Sequence, residues 1–177
     1  MVPVLCIVGR KKSGKTLLIE RLIPELRALG YRVGTIKHHR HATELDGEGK
    51  DSWRHANAGA EAVAVSSPVQ LVVFKQVKAE LPLEAVVPLL GEVDLILAEG
   101  FKESPLPKIE VHRSVLGLGL LSSQGDGLIA VVSDLPLEVG VPCFGWGTIG
   151  SLASFIASRF LNKGKERSWK GRRSASG

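Results

Sequence analysis

Cysteine is scarce in this sequence of 177 residues, and uninterrupted apolar segments long enough to cross a membrane are missing. The two cysteines, Cys6 and Cys143, are far apart in the chain, so we expect buried, reduced thiols rather than a disulfide framework. An uncharged stretch at 139–158 is interrupted by Pro142 and four glycines, which argues against a membrane helix. No signal peptide is visible, and the sequence therefore predicts a cytoplasmic protein with no membrane partner.

The net charge of +5 comes from the C-terminal segment. Residues 163–177 hold six of the 23 basic residues and one of the 18 acidic residues, so the rest of the chain has 17 of each sign. This segment is also rich in serine and glycine and has little to bury, so we expect a disordered tail. A tail that touches RNA or an acidic partner is the alternative. We predict one nucleotide-binding domain at 1–162 and do not expect nucleic acid as its ligand.

The most informative motif is a glycine-rich loop between an apolar strand at 4–8 and a helix that begins near residue 15. Its glycines permit tight turns and a close approach to a ligand, so that main-chain amides can face phosphate oxygens. We expect Lys15 to bind the β and γ phosphates and to take part in catalysis, and we expect the Thr16 hydroxyl to ligate Mg²⁺. The predicted phosphate-binding residues are Gly9, Lys11, Lys12, Ser13, Gly14, Lys15 and Thr16. A glycine-rich turn without a ligand is the alternative.

Strand-like and helix-like segments alternate along the chain, which predicts an α/β fold of the P-loop NTPase type. We expect a mostly parallel sheet with helices on both faces. Segments 62–65 and 69–74 flank Ser66-Ser67-Pro68 and predict a β-hairpin at a sheet edge. Residues 109–112 alternate like a strand with one solvated face. The remaining strands are expected at 31–37, 93–98, 128–132 and 142–145, and the helices at 15–29 (kinked at Pro24), at 50–58, at 83–90 and from 148.

Ligands of parallel sheets gather at the carboxyl ends of the strands. Glu99 ends the predicted strand 93–98 and Asp94 begins it, about 16 Å away in extended chain. We therefore predict that Glu99 holds Mg²⁺ and takes part in catalysis, and that the Gly100 amide approaches a γ-phosphate. A Glu99 that only caps or pairs at the strand end is the alternative. In the polar segment after strand 31–37, Asp46 is a predicted metal ligand and Asp51 a predicted catalytic, water-positioning group.

Four of the five histidines, at 38, 39, 41 and 55, also lie in or near this polar segment. One interpretation is a switch segment that senses the nucleotide. A second is a transition-metal site, because imidazole suits zinc and nickel. The third is a polar loop that happens to be rich in histidine. Lys37 and Arg40 offer positive charge for a second anionic ligand.

The sequence says least about the base. The Asn-Lys-x-Asp motif that reads guanine is missing, and Asn162-Lys163-Gly164-Lys165 lacks its acid. Asp134, at the end of strand 128–132, can accept hydrogen bonds from guanine N1 and N2, donors that adenine lacks. A cap of the following turn explains Asp134 equally well.

Taken together, six motifs resemble the molybdopterin-guanine dinucleotide biosynthesis protein B (MobB) family over about residues 3–160. They are Gly9-x₄-Gly14-Lys15-Thr16, Thr35-Ile36-Lys37-His38-x₂-His41, Gly49-Lys50-Asp51-Ser52, Ala58-Gly59-Ala60, Asp94-Leu95-Ile96-Leu97-Ala98-Glu99-Gly100-Phe101-Lys102 and Pro107-Lys108-Ile109-Glu110-Val111. Arg40 departs from the family pattern, which has an acid or a third histidine between the two family histidines. The resemblance implies a cytoplasmic homodimer that binds GTP and has weak GTPase activity. It also implies contact with the guanylyltransferase that attaches GMP to molybdopterin, and molybdopterin itself as a further partner.

The leading functional hypothesis is thus a GTP-binding accessory protein that uses Mg²⁺ and hydrolyses GTP slowly, with Arg10 or Lys11 as a positive finger. Slow turnover is expected because no residue is identified with certainty as the group that positions water. A small-molecule kinase with Lys37, Arg40 and Lys102 around its acceptor is one alternative. A metal-delivery GTPase that uses the histidines at 38–41 is another.

Overall fold

A computed structural model describes residues 2–39 and 46–161. They group into two compact units, one made of the residues up to His38 and from Leu90 onward, the other of His39–Leu89. The predicted domain boundary at residue 162 and the basic tail at 163–177 lie outside the described residues. In chain order the elements are β1 (Val4–Val8), α1 (Lys15–Ala28), β2 (Val33–Lys37), α2 (Asp51–Asn57), β3 (Ala62–Ser66), β4 (Leu71–Lys75), α3 (Leu83–Val86), β5 (Leu95–Glu99), β6 (Lys108–Val111), β7 (Leu128–Ser133), β8 (Cys143–Gly145) and α4 (Ile149–Ile156).

The first unit is built on a six-stranded sheet with the order β2-β5-β1-β6-β7-β8. Each neighbouring pair is parallel. The central strands are apolar and almost completely buried, which is typical of parallel strands covered on both faces. The predicted α/β fold is confirmed, and all six strands expected in this sheet are present within a few residues of their predicted bounds.

Helices α1 and α4 cover one face of this sheet and share its core. Leu18, Leu22 and Leu26 of α1 recur at helical spacing and are fully buried, as are Leu152 and Ile156 of α4. Full burial of a leucine or isoleucine side chain contributes about 1.5–3 kcal/mol each, so this layer is a major source of stability. Helix α1 continues through its proline at position 24 as far as Ala28.

The opposite face of β6 differs from the sequence prediction. The alternation at 109–112 predicted one solvated face, but Lys108 and Glu110 are 2% and 1% exposed. The Lys108 ammonium donates hydrogen bonds to the carbonyl oxygens of Ser104 and Asp126. The Glu110 carboxylate accepts hydrogen bonds from the backbone N–H groups of Leu121 and Ser122 at 2.7 and 2.9 Å. Within this unit, the loop residues that make these hydrogen bonds and the 3₁₀ turn at Gln124–Asp126 lie against that face.

The second unit contains α2, α3 and the predicted hairpin. The hairpin forms as expected, with β3 and β4 antiparallel, but its placement at the edge of the main sheet is wrong, because the two strands form a sheet of their own. Val63 is buried, whereas the other side chains of these strands are exposed or half-buried. Strands with so little buried surface lack the two covered apolar faces that a parallel sheet requires. In the described part of the chain, no helix is long and apolar enough to cross a membrane.

The buried carboxylate of β6 gives a test of this architecture. We expect Glu110→Gln to lower the free energy of unfolding by about 1–3 kcal/mol, because an amide nitrogen would face a backbone donor and leave it without an acceptor. Urea denaturation measures the change. The exposed Glu138 supplies the control, since Glu138→Gln should stay within about 0.5 kcal/mol of the wild type. Equal stability of the two variants would contradict the proposed role of Glu110.

Candidate functional site

The predicted phosphate-binding loop connects β1 to α1 and has a backbone that requires glycine at two positions. Gly9 has φ +142°, and a Cβ there would lie 2.5 Å from the Val111 carbonyl oxygen and 2.7 Å from Ser13 Oγ. Gly14 has φ +104° and is the N-cap residue of α1. Side chains at either position would strain the backbone, and at Gly9 a side chain would also collide with neighbouring atoms. The loop is therefore held in one tight conformation against the end of β6.

This conformation leaves hydrogen-bond donors available at the start of α1. The first turn of a helix has amides without an intrahelical acceptor, and Gly14 has no side chain to cap them. The Ser13 hydroxyl is buried and has no hydrogen-bond partner in the described part of the chain. A phosphate group would supply acceptors to such donors, and the helix dipole would favour its negative charge.

Lys15 lies at the beginning of α1 and folds over the loop. Its ammonium donates hydrogen bonds to the carbonyl oxygens of Gly9 and Arg10 at 3.0 and 2.9 Å. Burial lowers the pKa of the Lys15 ammonium, Glu99 partly opposes this shift, and the nearby charge of Lys37 adds to it. The side chain is thus held at two carbonyl oxygens of the loop, and an anion bound to the loop would restore part of its lost solvation.

Glu99 reaches the same place from the end of β5. The Thr16 hydroxyl lies 3.1 Å from both Glu99 carboxylate oxygens, and the Lys37 ammonium is 3.9 Å from one of them. A hydroxyl beside a carboxylate is a set of hard oxygen ligands of the type that Mg²⁺ prefers, with water and phosphate completing the shell. The cleft around them has a volume of about 340 Å³ and is lined by Lys11, Lys12, Gly14, Lys15, Thr16, Leu17 and Glu99.

The structure therefore brings most of the predicted phosphate and magnesium residues to one place. The residues fit a magnesium nucleotide: the loop from Gly9 to Gly14 and Lys15 would hold the phosphates, and Thr16 with Glu99 would hold the metal. Asp94, which precedes β5, accepts hydrogen bonds from the backbone and side chain of Arg32 instead. Asp94 therefore lies at the amino-terminal ends of the strands, away from the phosphate-binding loop, as expected from the choice of Glu99 as the metal ligand.

One predicted contact is not available in this conformation. The Gly100 amide was expected to approach a γ-phosphate, but it donates a hydrogen bond of 3.0 Å to the Ile7 carbonyl oxygen. The reason is that the pairing of β1 with β5 extends one residue beyond the end of β5. Gly100 still needs its small size, because it has φ +102° and a Cβ would lie 3.2 Å from that of His38.

Two predicted acids lie in the second unit, so their roles at the loop stay predictions. Asp46 accepts a hydrogen bond of 2.8 Å from the backbone N–H of Gly47. Asp51 begins α2 and is 3.5 Å from Arg54, one turn further along the helix. Both contacts are local, and neither identifies a ligand.

The histidine cluster receives no support as a metal site. His38 stacks on Phe101 with ring centroids 4.9 Å apart. His41 and Arg40 lie outside the described residues. In the ranges 2–39 and 46–161, no group of three or more His, Cys, Asp or Glu side chains is placed to hold a metal ion.

Asp134 follows β7 and lines a second cavity of about 190 Å³. Its two carboxylate oxygens accept hydrogen bonds from the backbone N–H and the hydroxyl of Ser114, at 2.8 and 3.0 Å. The Ser114 amide holds the pKa of the Asp134 carboxyl below its ordinary value, although desolvation acts in the opposite direction. Asp134 therefore caps the 3₁₀ turn at Ser114–Leu116, and its role in reading guanine stays a prediction.

The sequence reasoning missed Trp146, which follows β8 and packs against the phosphate-binding loop. Ring atoms Cη2 and Cζ2 lie 3.0 and 3.2 Å from the position of a Cβ on Gly14. The guanidinium carbons of Arg113 and Arg21 lie 5.2 and 5.7 Å from the ring centroid. An aromatic residue between two glycines at the carboxyl end of a predicted strand was a usable signal for this position.

A strand, a glycine-rich loop and a helix of this geometry, in a six-stranded parallel sheet, define an α/β protein of the P-loop NTPase type. The profile of the family described as "Molybdopterin guanine dinucleotide synthesis protein B" (MobB) matches residues 4–134. The chain belongs to the MobB family.

Individual relatives agree with this membership. A Haemophilus influenzae protein named molybdopterin-guanine dinucleotide biosynthesis adapter protein is 36% identical over 157 residues, 88% of each chain. An Escherichia coli protein of the same name is 35% identical over 161 residues, 88% of this chain and 92% of its own. A crystal structure of molybdopterin-guanine biosynthesis protein B superposes with a TM-score of 0.69 at 31% identity, covering 88% of this chain and 99% of that chain.

The tight packing of the loop against β6 leads to a prediction. We expect Gly9→Ala to destabilise the fold by about 2–4 kcal/mol, because the new methyl group collides with a backbone carbonyl and strains φ. Gly119→Ala is the control, because an added Cβ there meets open space, and its effect should stay within about 0.5 kcal/mol. Thermal and urea unfolding measure both variants. A stable Gly9→Ala protein would show that the loop is less constrained than its geometry indicates.

Proposed function

We propose that this protein is an adapter of molybdopterin-guanine dinucleotide biosynthesis that binds GTP with Mg²⁺ at the loop between β1 and α1 and hydrolyses it slowly. The main support for nucleotide binding is the hydrogen bond between Thr16 and Glu99. Both residues line the cleft beside a loop whose amides, together with Lys15, could bind phosphate. The adapter part is supported by family membership and by the names of the Haemophilus influenzae and Escherichia coli relatives.

Each group at the site has a distinct task in this proposal. The amides of residue 12 and of residues 14–16 bind phosphate oxygens, and the Ser13 amide joins them once it leaves the Arg10 carbonyl oxygen, to which it donates at 3.2 Å. The Lys15 ammonium moves from the loop carbonyls to the β and γ phosphates. Thr16 and Glu99 would hold Mg²⁺, and the metal ion would neutralise part of the negative charge of the phosphates. Lys37 then keeps the negative charge of Glu99 compensated from the side of β2.

Slow hydrolysis is expected from the residues that line the cleft. Of the described residues that line the cleft, Glu99 is the one with a carboxylate, and its oxygens are engaged by Thr16 and Lys37. A group already committed to holding a metal is poorly placed to orient an attacking water. The positive finger proposed for Arg10 is also engaged, because Arg10 Nε donates to the Gly119 carbonyl oxygen at 3.3 Å. The nucleotide would thus act mainly as a ligand that changes the protein's affinity for a partner.

That partner, in our proposal, is the guanylyltransferase that attaches GMP to molybdopterin, with molybdopterin as a further ligand of the complex. We also propose that the protein acts in the cytoplasm as a homodimer. These statements rest on the family resemblance and on the adapter names of the relatives.

Two substitutions test the nucleotide site. We expect Lys15→Ala to weaken binding of Mg²⁺-GTP by about 10- to 100-fold, because a hydrogen bond to a charged group contributes about 1.5–3 kcal/mol. Glu99→Gln should remove most of the difference between affinities measured with Mg²⁺ and with a chelator. Isothermal titration calorimetry measures both, and Lys78→Ala, at an exposed lysine, is the matched control. Unchanged GTP affinity in well-folded Lys15→Ala protein would refute the assignment.

A binding experiment tests the adapter role. The purified protein and the guanylyltransferase should form a complex by analytical ultracentrifugation, and Mg²⁺-GTP should change its affinity in wild-type protein but not in Lys15→Ala. Absence of a complex at about 100 µM of each protein, where even weak specific complexes form, would contradict the proposal.

A further inference from the structure

Arg113 and Asp134 lie just beyond the carboxyl ends of the neighbouring strands β6 and β7, and the phosphate and magnesium groups described above do not use them. Arg113 is the second residue after β6. The next residue, Ser114, donates hydrogen bonds to both carboxylate oxygens of Asp134. The backbone hydrogen bond from Ser114 is the main cause of the lowered pKa of Asp134, and the positive charge of Arg113 makes a smaller contribution in the same direction. The carboxylate is therefore ionised near neutral pH, with a guanidinium as its neighbour.

Arg113 is oriented by an aromatic ring rather than by a carboxylate. Its guanidinium carbon lies 5.2 Å from the centroid of Trp146, on which Arg21 also packs. In the described part of the chain, no hydrogen bond or ion pair engages the Arg113 guanidinium. Stacking on an aromatic ring fixes the plane of a guanidinium while leaving its N–H groups available for a ligand.

Trp146 links this region to the phosphate-binding loop. Trp146 contacts Gly14, the last loop residue before Lys15, so the ring joins the loop to the region of Arg113. A cavity of about 190 Å³ adjoins this region and is lined by residues that include Asp134 and Gly145. Its walls come from the carboxyl ends of β7 and β8, at the edge of the sheet where P-loop proteins bind ligands.

Guanine has the chemical pattern that complements this pair. Its O6 and N7 are adjacent acceptors that an arginine can bind through two parallel hydrogen bonds. The N1 and N2 donors follow next along the ring and suit a carboxylate, which has about four acceptor sites and gives two of them to Ser114. Adenine has an amino donor in place of O6, so it would face the guanidinium with the wrong group.

We propose that Arg113, held in place by Trp146, binds O6 and N7 of guanine beside Asp134, which binds N1 and N2. The pair would replace the missing Asn-Lys-x-Asp motif and make Arg113 a determinant of guanine specificity. This inference rests on the proposed binding of GTP to the loop, and it assigns the base to particular side chains.

The experiment compares nucleotides that differ in single atoms of the base. Wild-type protein should bind Mg²⁺-GTP about tenfold more tightly than the 7-deaza analogue, which lacks the N7 acceptor, and more tightly still than ATP. In Arg113→Lys, which keeps the charge but loses the two-pronged geometry, the ratio for 7-deaza-GTP should approach one. Inosine triphosphate, which lacks the N2 amine, should be discriminated by the wild type and not by Asp134→Asn.

Arg27→Lys is the matched control, because Arg27 lies in the last turn of α1 and is exposed. It should keep every wild-type ratio. An Arg113→Lys protein that discriminates 7-deaza-GTP as well as the wild type does would overturn the assignment of Arg113 and leave the loop site intact. Failure of wild-type protein to bind any triphosphate, with no effect of Lys15→Ala, would instead overturn the proposed function and this inference together.

Discussion

The parallel pairing of β1 with β5 is the constraint on which the candidate site depends. In this register Glu99, at the end of β5, lies opposite Ile7 of β1. Glu99 is therefore level with the position two residues before Gly9, the glycine that begins the loop. The Thr16 hydroxyl can then meet the Glu99 carboxylate although 83 positions separate them in the chain. A shift by one residue would turn the Glu99 side chain to the other face of the sheet and remove it from the loop.

Positive charge exceeds negative charge at this edge of the sheet. Lys11, Lys12 and Lys15 line the same cleft as the Glu99 carboxylate, and the Lys37 ammonium lies 3.9 Å from it. Burial is the main cause of the lowered pKa of Lys15, and the charge of Lys37 adds to it. Such an arrangement disfavours the protein without an anion, since positive charge in a partly buried site lacks full solvation. An anionic phosphate would therefore be favoured at this site over a neutral ligand.

How far the sequence predicts this protein depends on whether the signal is local. The loop, the strand before it and the helix after it follow from glycine spacing and apolar periodicity, and Glu99 was preferred over Asp94 from strand direction alone. The burial of Glu110 was missed because alternation reports which residues share a face, not what covers that face. Trp146 and Arg113 were missed for a related reason: their positions depend on contacts between segments far apart in the chain. Asp46 and Asp51 lie in a polar segment without glycine spacing or apolar periodicity of this kind, so there was no comparable basis for predicting their positions.

The buried charges of β6 have a consequence for how this chain can vary. Lys108 and Glu110 bind the covering loops only through main-chain atoms, the carbonyls of Ser104 and Asp126 and the amides of Leu121 and Ser122. At Leu121 and Ser122 any side chain except proline preserves such contacts, because proline would delete the donating amide. At the other two positions the side chain matters as well, since the Asp126 carboxylate accepts hydrogen bonds from Ser123 and the Ser104 hydroxyl accepts one from the Leu106 amide. The loops are thus open to sequence change at two of their four anchoring points, Leu121 and Ser122, while the strand beneath them is not. The same hydrogen bonds thus restrict substitution at Lys108 and Glu110 and permit it at the loop residues that contribute only a backbone amide.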